Sequence, residues 1–241
     1  MLMKIQKNYE ELSEKAAEIV IKEISKKPCL TIGFATGSTP LGLYKKLVLA
    51  YKKKKISFSK ITSFNLDEYY GIKRKDKNSY NYYMHQILFN NINIKKSNIN
   101  MLGGEAENPE KECQNYEKKI KNKPIDIQIL GVGVNGHIGF NEPDSRFDSR
   151  TRLVNLSRET INSNSRFFKN KQVPRKALTM GISTIIKAKK ILLLASGKNK
   201  AEAIYQLVKG KKSGKWPVTC LKNHKNLIVI IDKEAAGLIK S

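Results

Sequence analysis

Cysteine, histidine and acid are all scarce in this 241-residue chain. Its three cysteines, Cys29, Cys113 and Cys220, are odd in number, far apart and without CxxC spacing. That excludes a disulfide framework and a thiolate zinc site, and it points to a reducing, cytoplasmic compartment. No window approaches the roughly 20 consecutive apolar residues that span a bilayer, so no membrane association is expected. The first thirty residues do not read as a signal peptide, because Glu10, Glu11, Glu14 and Glu18 interrupt any apolar core.

Acid is outnumbered: 21 Asp and Glu face 46 Lys and Arg, a formal net charge of +25. Only Arg74, Arg146, Arg150, Arg152, Arg158, Arg166 and Arg175 are arginines; the rest of the excess is lysine, as in the run at 52–55. Base-specific readers favour arginine, and these lysine runs are not interleaved with aromatics. No specific nucleic-acid partner is therefore expected. The excess reads as solvated surface that also attracts an anionic substrate.

The length suits one large α/β domain or two small ones, and no linker, repeat or low-complexity stretch divides it. A single domain over 1–241 is the expectation. Leu12, Ala16, Ile19, Val20 and Ile24 recur at helical spacing between about 9 and 26. Short β-branched runs at 29–35, 61–66, 97–102, 124–131, 152–156, 176–181, 189–196 and 226–232 alternate with helical segments near 41–53, 79–89, 109–120 and 199–208. That alternation predicts a doubly wound, mostly parallel sheet with helices on both faces.

Three segments then fall on one edge of the inferred sheet, where ligands bind in open α/β folds. GVGVNGHIGFNEP at 131–143 sets His137, the one histidine with a plausible catalytic setting, between Gly136 and Gly139 and five residues before Glu142. A histidine there is suited to proton transfer near neutral pH. Thr36, Gly37, Ser38 and Thr39 precede Pro40 at a helix start, an arrangement that offers free N–H groups to an anion. This turn carries neither the GxxxxGK(S/T) nor the GxGxxG fingerprint. FNLDEY at 64–69 ends in two adjacent carboxylates; alternation along an extended chain sends Asp67 and Glu68 to opposite sides, one to the cleft and one to a structural partner. A phosphate cradle, a carboxylate base and a His–Glu pair together fit proton transfer on a phosphorylated sugar, with no metal or cofactor required.

FATGSTPLGLY, FNLDEYYGI, NSYNYYMHQILF, GVGVNGHIGFNEP, SRTRLVNL, NSRFF, VPRKALTMGI and SGKNKAEAI resemble the glucosamine-6-phosphate deaminase family in order and spacing, over nearly the whole chain. The resemblance implies a modified Rossmann-like fold and conversion of glucosamine 6-phosphate to fructose 6-phosphate and ammonia. By motif it gives Asp67 the role of enolisation base, moving a proton from C2 to C1, and His137 that of the ring-opening acid/base. Glu142 would orient and polarise the imidazole. The position two before the histidine, Asp or Asn in the family, is Asn135 here, which carries no charge to steady an imidazolium. The phosphate would sit on 36–39 with Arg166 and Lys200, Lys198 being the alternative lysine.

The same resemblance implies a mobile lid over about 156–178 carrying Arg166. Longer members carry a C-terminal extension that helps build an allosteric site for N-acetylglucosamine 6-phosphate, whereas this chain stops at Ser241, soon after its last predicted strand. Arg152 matches an allosteric arginine, but Val154 and Asn155 replace the polar effector contacts. A non-allosteric enzyme is expected, monomeric or homo-oligomeric. The rival readings are a 6-phosphogluconolactonase, which would lack the paired FNLDEY and GHIGFNEP signatures in this form, and a sugar-phosphate-sensing regulator, for which about 28 residues before the first strand are too few to hold a helix-turn-helix. His85 and His224 read as packing or surface residues and Trp216 as a loop anchor.

Overall fold

Runs such as Thr31–Phe34, Ile127–Gly131, Lys190–Ala195 and Leu227–Asp232 bury nearly every residue, as strands covered on both faces must. The computed structural model describes residues 1–165, 168 and 172–239. The strands are β1 (Leu2–Gln6), β2 (Thr31–Phe34), β3 (Thr62–Asn65), β4 (Asp67–Tyr69), β5 (Ile99–Asn100), β6 (Ile127–Gly131), β7 (Arg152–Asn155), β8 (Lys176–Thr179), β9 (Lys190–Ala195) and β10 (Leu227–Asp232). The α-helices are α1 (Tyr9–Lys26), α2 (Leu41–Lys52), α3 (Tyr80–Ile87), α4 (Pro109–Asn122), α5 (Arg158–Ser165), α6 (Ile182–Ile185) and α7 (Ala201–Val208). Side-chain caps set several starts: Asn8 accepts from Glu11 N–H, Ser79 from Tyr82 N–H, and Asn108 from Lys111 N–H.

Seven strands form one parallel sheet in the order β1-β10-β9-β6-β2-β3-β5. From β2 the chain winds outward through β3 to β5; from β6 it winds the other way through β9 and β10. The switch point therefore lies between β2 and β6, and it opens a crevice at their carboxyl ends. One face packs on α1, α2 and α3 through residues such as Leu12, Val20, Leu43, Tyr44 and Met84. The other packs on α4, α6 and α7 through Tyr116, Ile182, Ile185, Ile204 and Leu207. The expected parallel sheet with helices on both faces is thus observed.

Two features depart from expectation. The segments at 152–156 and 176–181 do not join the main sheet; β8 pairs antiparallel with both β4 and β7 in a separate sheet ordered β4-β8-β7. The third strand is Asp67-Glu68-Tyr69, at the end of FNLDEY, and despite its two acids all three residues are buried. Leu66 hands the chain from one sheet to the other. Its N–H donates to Phe34 C=O at 3.1 Å, continuing the main sheet, while its C=O accepts from Met180 N–H at 2.7 Å beside the smaller one. The second departure concerns the lid expected over 156–178. Its last residues, Lys176 to Leu178, belong to β8, the middle strand of the small sheet, and Ala177 and Leu178 are fully buried. A lid cannot extend into a strand paired on both sides. The edge strand β1 has no counterpart in the sequence reading.

Leu193 lies on β9, between β10 and β6, with no exposed surface. Leu193→Ala is expected to lower the unfolding free energy by about 2–5 kcal/mol, measured by urea denaturation; a loss under about 1 kcal/mol would show that this strand is not part of the rigid core.

Candidate functional site

A cavity of about 530 Å3 occupies the switch point. Its walls come from the loop after β2 (Thr36 to Pro40), from Leu66 and Asp67 at the sheet junction, from the 131–140 loop after β6, from α5, and from Asn199 and Lys200. All three segments that the sequence places on one sheet edge meet here. Thr36, Gly37, Ser38, Thr39, Asp67, His137 and Lys200 line the cavity, whereas Lys198, in the same short turn as Lys200, does not. Arg166 lies outside the described residues. Among the described residues no group of three His, Cys, Asp or Glu side chains is placed to hold a metal ion.

The 36–39 loop is braced from behind. Gly37 takes a left-handed φ of +104°, and the carbonyls of Gly37, Ser38 and Thr39 accept from the Tyr83 and Tyr9 phenols, neither of which lines the cavity. Tyr9 also accepts from Gly42 N–H at 2.8 Å, tying α1 to the start of α2. With its carbonyls engaged elsewhere, the loop offers the cavity its hydroxyls and its position at a helix N-terminus. The opposite loop, which carries Lys200, is fixed by Asp232 at the end of β10. That carboxylate accepts from Gly197 N–H, the Ser196 hydroxyl and Ala235 N–H.

Asp67 and Glu68 do point apart, as alternation requires. Glu68 accepts from Tyr69 N–H at 2.9 Å and from Tyr80 and Asn81 N–H at 2.9 and 2.8 Å, placing its charge at the amino end of α3. Asp67 faces the cavity. Gly139, with φ +55°, lies against it: a Cβ there would stand 3.3 Å from Asp67 Oδ2 and 3.1 Å from Thr179 Oγ1. Asp67 Oδ1 is buried without a hydrogen-bond partner among the described residues. Burial, then the neighbouring Glu68 charge, push the Asp67 carboxyl up to about 8, against a smaller opposing effect of the Thr36 hydroxyl. Burial likewise raises Glu68 to about 7. Being dry makes Asp67 hold its proton at neutral pH.

His137 sits directly over Gly133, where a Cβ would come within 2.1 Å of the imidazole, so only glycine admits the ring. Asn135 Oδ1 accepts from His137 N–H at 3.2 Å and bonds His137 Nδ1 at 2.7 Å. A backbone N–H can only donate, so the oxygen faces the histidine; Nδ1 then carries the proton and Nε2 keeps its lone pair. Burial and then the Lys200 charge lower the imidazole to about 4, leaving it neutral at physiological pH. The expected Glu142–His137 pair is not what the geometry displays. Glu142 accepts from Ser157 N–H at 3.0 Å and from the Thr160 hydroxyl. The reason is local: Gly136, at φ +79°, turns the chain so that Asn135 reaches its neighbour's ring, while Glu142 lies beyond the turn against α5.

Several groups here were not singled out in the sequence. Tyr80 and Phe140 both line the cavity and stack 5.9 Å apart at 11°. Thr160 lines it from α5, and Thr179 Oγ1 accepts from Phe140 N–H. Thr179 has no sequence signal beyond residue type, since only the β4–β8 pairing, distant in sequence, brings it beside Asp67. GVGVNG at 131–136 does spell GxGxxG, but turns and an Ile138–Asn141 bridge follow it rather than a helix, so it lacks the dinucleotide-site context. Arg152 donates to Asn141 Oδ1 at 2.9 Å, beside Glu142.

Comparison with known proteins places these features in context. Residues 5–230 match the family described as glucosamine-6-phosphate isomerases/6-phosphogluconolactonase. The chain is 56% identical over 234 residues to a glucosamine-6-phosphate deaminase from Thermoanaerobacter sp. (strain X514), covering 96% of this chain and 92% of that protein. It is 53% identical over 235 residues to one from Clostridium botulinum (strain Langeland / NCTC 10281 / Type F), covering 97% and 96%. A solved monomeric glucosamine-6-phosphate deaminase superposes with TM-score 0.95 at 45% identity, over 99% of this chain and 100% of that one. A 6-phosphogluconolactonase from Thermotoga maritima, at 21% identity and TM-score 0.76 over 96% and 99%, shares the fold alone.

A carboxyl whose folded pKa lies above its unfolded value favours folding while protonated, and that contribution is lost as pH rises through the folded pKa. For Asp67 the window runs from about 4 to about 8. Asp67→Asn is therefore expected to raise the thermal midpoint relative to the parent above pH 8, with the gain shrinking toward pH 4. A lower midpoint at every pH would show that the carboxylate stabilises the fold.

Proposed function

The chain belongs to the glucosamine-6-phosphate isomerase/6-phosphogluconolactonase family, and we propose that it converts D-glucosamine 6-phosphate to D-fructose 6-phosphate and ammonia. The observation that carries this reading is one cavity that sets a dry carboxyl, Asp67, and a neutral imidazole, His137, beside an anion loop and Lys200. Relatives with more than half their residues identical bear the name of that deaminase.

In the proposed course the phosphate rests on Thr36, Gly37, Ser38 and Thr39 and pairs with Lys200, joined by Arg166 from the segment after α5. His137 Nε2, unprotonated because Asn135 holds Nδ1–H, takes the anomeric hydroxyl proton and delivers a proton to the ring oxygen, opening the sugar. Asp67 then removes the C2 proton and returns it at C1, while the C2 ammonium loses a proton and O1 gains one. The resulting protonated C2 imine takes up water and releases ammonia with a proton, so atoms balance across the reaction. A C2 ammonium close to Asp67 favours its ionised form, so the substrate itself prepares the base that burial has kept protonated. Glu142, held by Thr160 of α5, supports the site, and the stretch between Leu156 and β8 serves as the lid.

The reading extends to regulation and place. Arg152 is engaged by Asn141, and Val154 and Asn155 offer no charge beside it, which supports a non-allosteric enzyme. A solved deaminase described as monomeric superposes over 99% of this chain, which supports a monomer. Free, widely separated cysteines support a cytoplasmic setting, and no described helix is long and apolar enough to cross a membrane.

Incubation with glucosamine 6-phosphate is expected to yield ammonia and fructose 6-phosphate in equal amounts, hyperbolically and unchanged by N-acetylglucosamine 6-phosphate. No turnover by folded protein would contradict the reaction, and an effector-dependent sigmoid would contradict the non-allosteric reading. Because the active base is ionised, kcat/KM should rise with pH and level off near 8, while the acid limb of kcat should lie lower. Coincident limbs near 4 would remove Asp67 as the titrating base.

A further inference from the structure

Among the described residues, Glu142 is held at the start of α5. Ser157 N–H donates to its Oε2 at 3.0 Å and the Thr160 hydroxyl donates to its Oε1. Of the two groups at this contact, Thr160 lines the cavity and is buried, whereas Glu142 is not among the lining residues. The carboxylate thus meets the cavity wall through the threonine.

Helix capping alone does not account for this arrangement. Ser157 Oγ accepts from Thr160 N–H at 3.2 Å, which satisfies the first turn of α5 with the backbone of residue 160 and makes no demand on its side chain. The Thr160 hydroxyl is additional. It donates to Glu142 and lies 3.2 Å from Ser157 Oγ, so its single proton is committed to the carboxylate. A hydroxyl donating to a charged group makes a short, strong bond that fixes the partner's rotamer.

Resting on the deaminase reading above, we propose that Thr160 is a positioning residue for that reaction: its hydroxyl holds the Glu142 carboxylate on the first turn of α5 at the cavity wall, and Glu142 contributes to turnover only while so held. Thr160→Val removes the hydroxyl, keeps the shape and leaves the N–H that Ser157 caps. Thr160→Ser keeps the hydroxyl.

The test is steady-state kinetics on glucosamine 6-phosphate for the parent, Thr160→Val, Thr160→Ser, Glu142→Gln and the Thr160→Val/Glu142→Gln double variant. Thr160→Val should lower kcat by about tenfold or more with KM within about threefold, because the phosphate loops are untouched. Thr160→Ser should restore kcat to within about threefold of the parent, and the double variant should be no slower than Glu142→Gln. Parental kcat in Thr160→Val, equal damage in Thr160→Ser, or losses that multiply in the double variant would each overturn the proposal while leaving the deaminase in place. A parent without turnover would overturn the deaminase reading and this proposal together. Should Thr160→Val fail to fold, Thr160→Ala removes the same hydroxyl and takes its place in the comparison.

Discussion

Leu66 belongs to two sheets at once, and the site depends on that. Its N–H completes the β2–β3 pairing while its C=O receives Met180 N–H from the end of β8. The next residue, Asp67, therefore starts a strand of the small sheet at the mouth of the large one, with protein on every side but the cavity. Its burial follows from backbone hydrogen bonds that cannot be left unmade in an interior. The energetic burden of a dry carboxyl is carried by the paired strands around it.

From that burial the electrostatics of the site follow. Desolvation moves an acid up and a base down, so Asp67, pushed to about 8, and His137, lowered to about 4, are both neutral near pH 7 in the empty cavity. Among the described residues of the wall, the basic side chain left beside them is Lys200. A phosphorylated amino sugar brings both missing charges: an anion for the 36–39 loop and Lys200, and an ammonium for the carboxyl. The chain's overall +25 charge adds a long-range attraction for such a substrate, weakened by salt.

Much of this was legible in the sequence, for physical reasons. Strands buried on both faces are unbroken apolar runs, so β2, β6, β9 and β10 stood out, and glycines with left-handed φ marked the loops at Gly37, Gly136 and Gly139. The opposed directions of Asp67 and Glu68 needed only strand alternation. What stayed hidden was non-local. Asp67-Glu68-Tyr69 forms a strand because β8 lies beside it, a pairing across more than 100 residues that no local pattern encodes. Glu142 was paired with His137 by proximity in sequence, yet the donors that hold it, Ser157 N–H and the Thr160 hydroxyl, arrive from the start of α5. Tyr9 and Tyr83 brace the anion loop from two different helices, and nothing in TGSTP announces them.

The proposed chemistry requires Asp67 to be a buried, protonated carboxyl before substrate binds. Its titration can be followed directly by carboxyl 13C NMR, with the signal assigned by its loss in Asp67→Asn. A midpoint near 8, falling when a non-reactive amino-sugar phosphate is bound, is the predicted result. A midpoint in the ordinary range near 4, unchanged by ligand, would contradict it and remove the dry base on which the proposed chemistry rests.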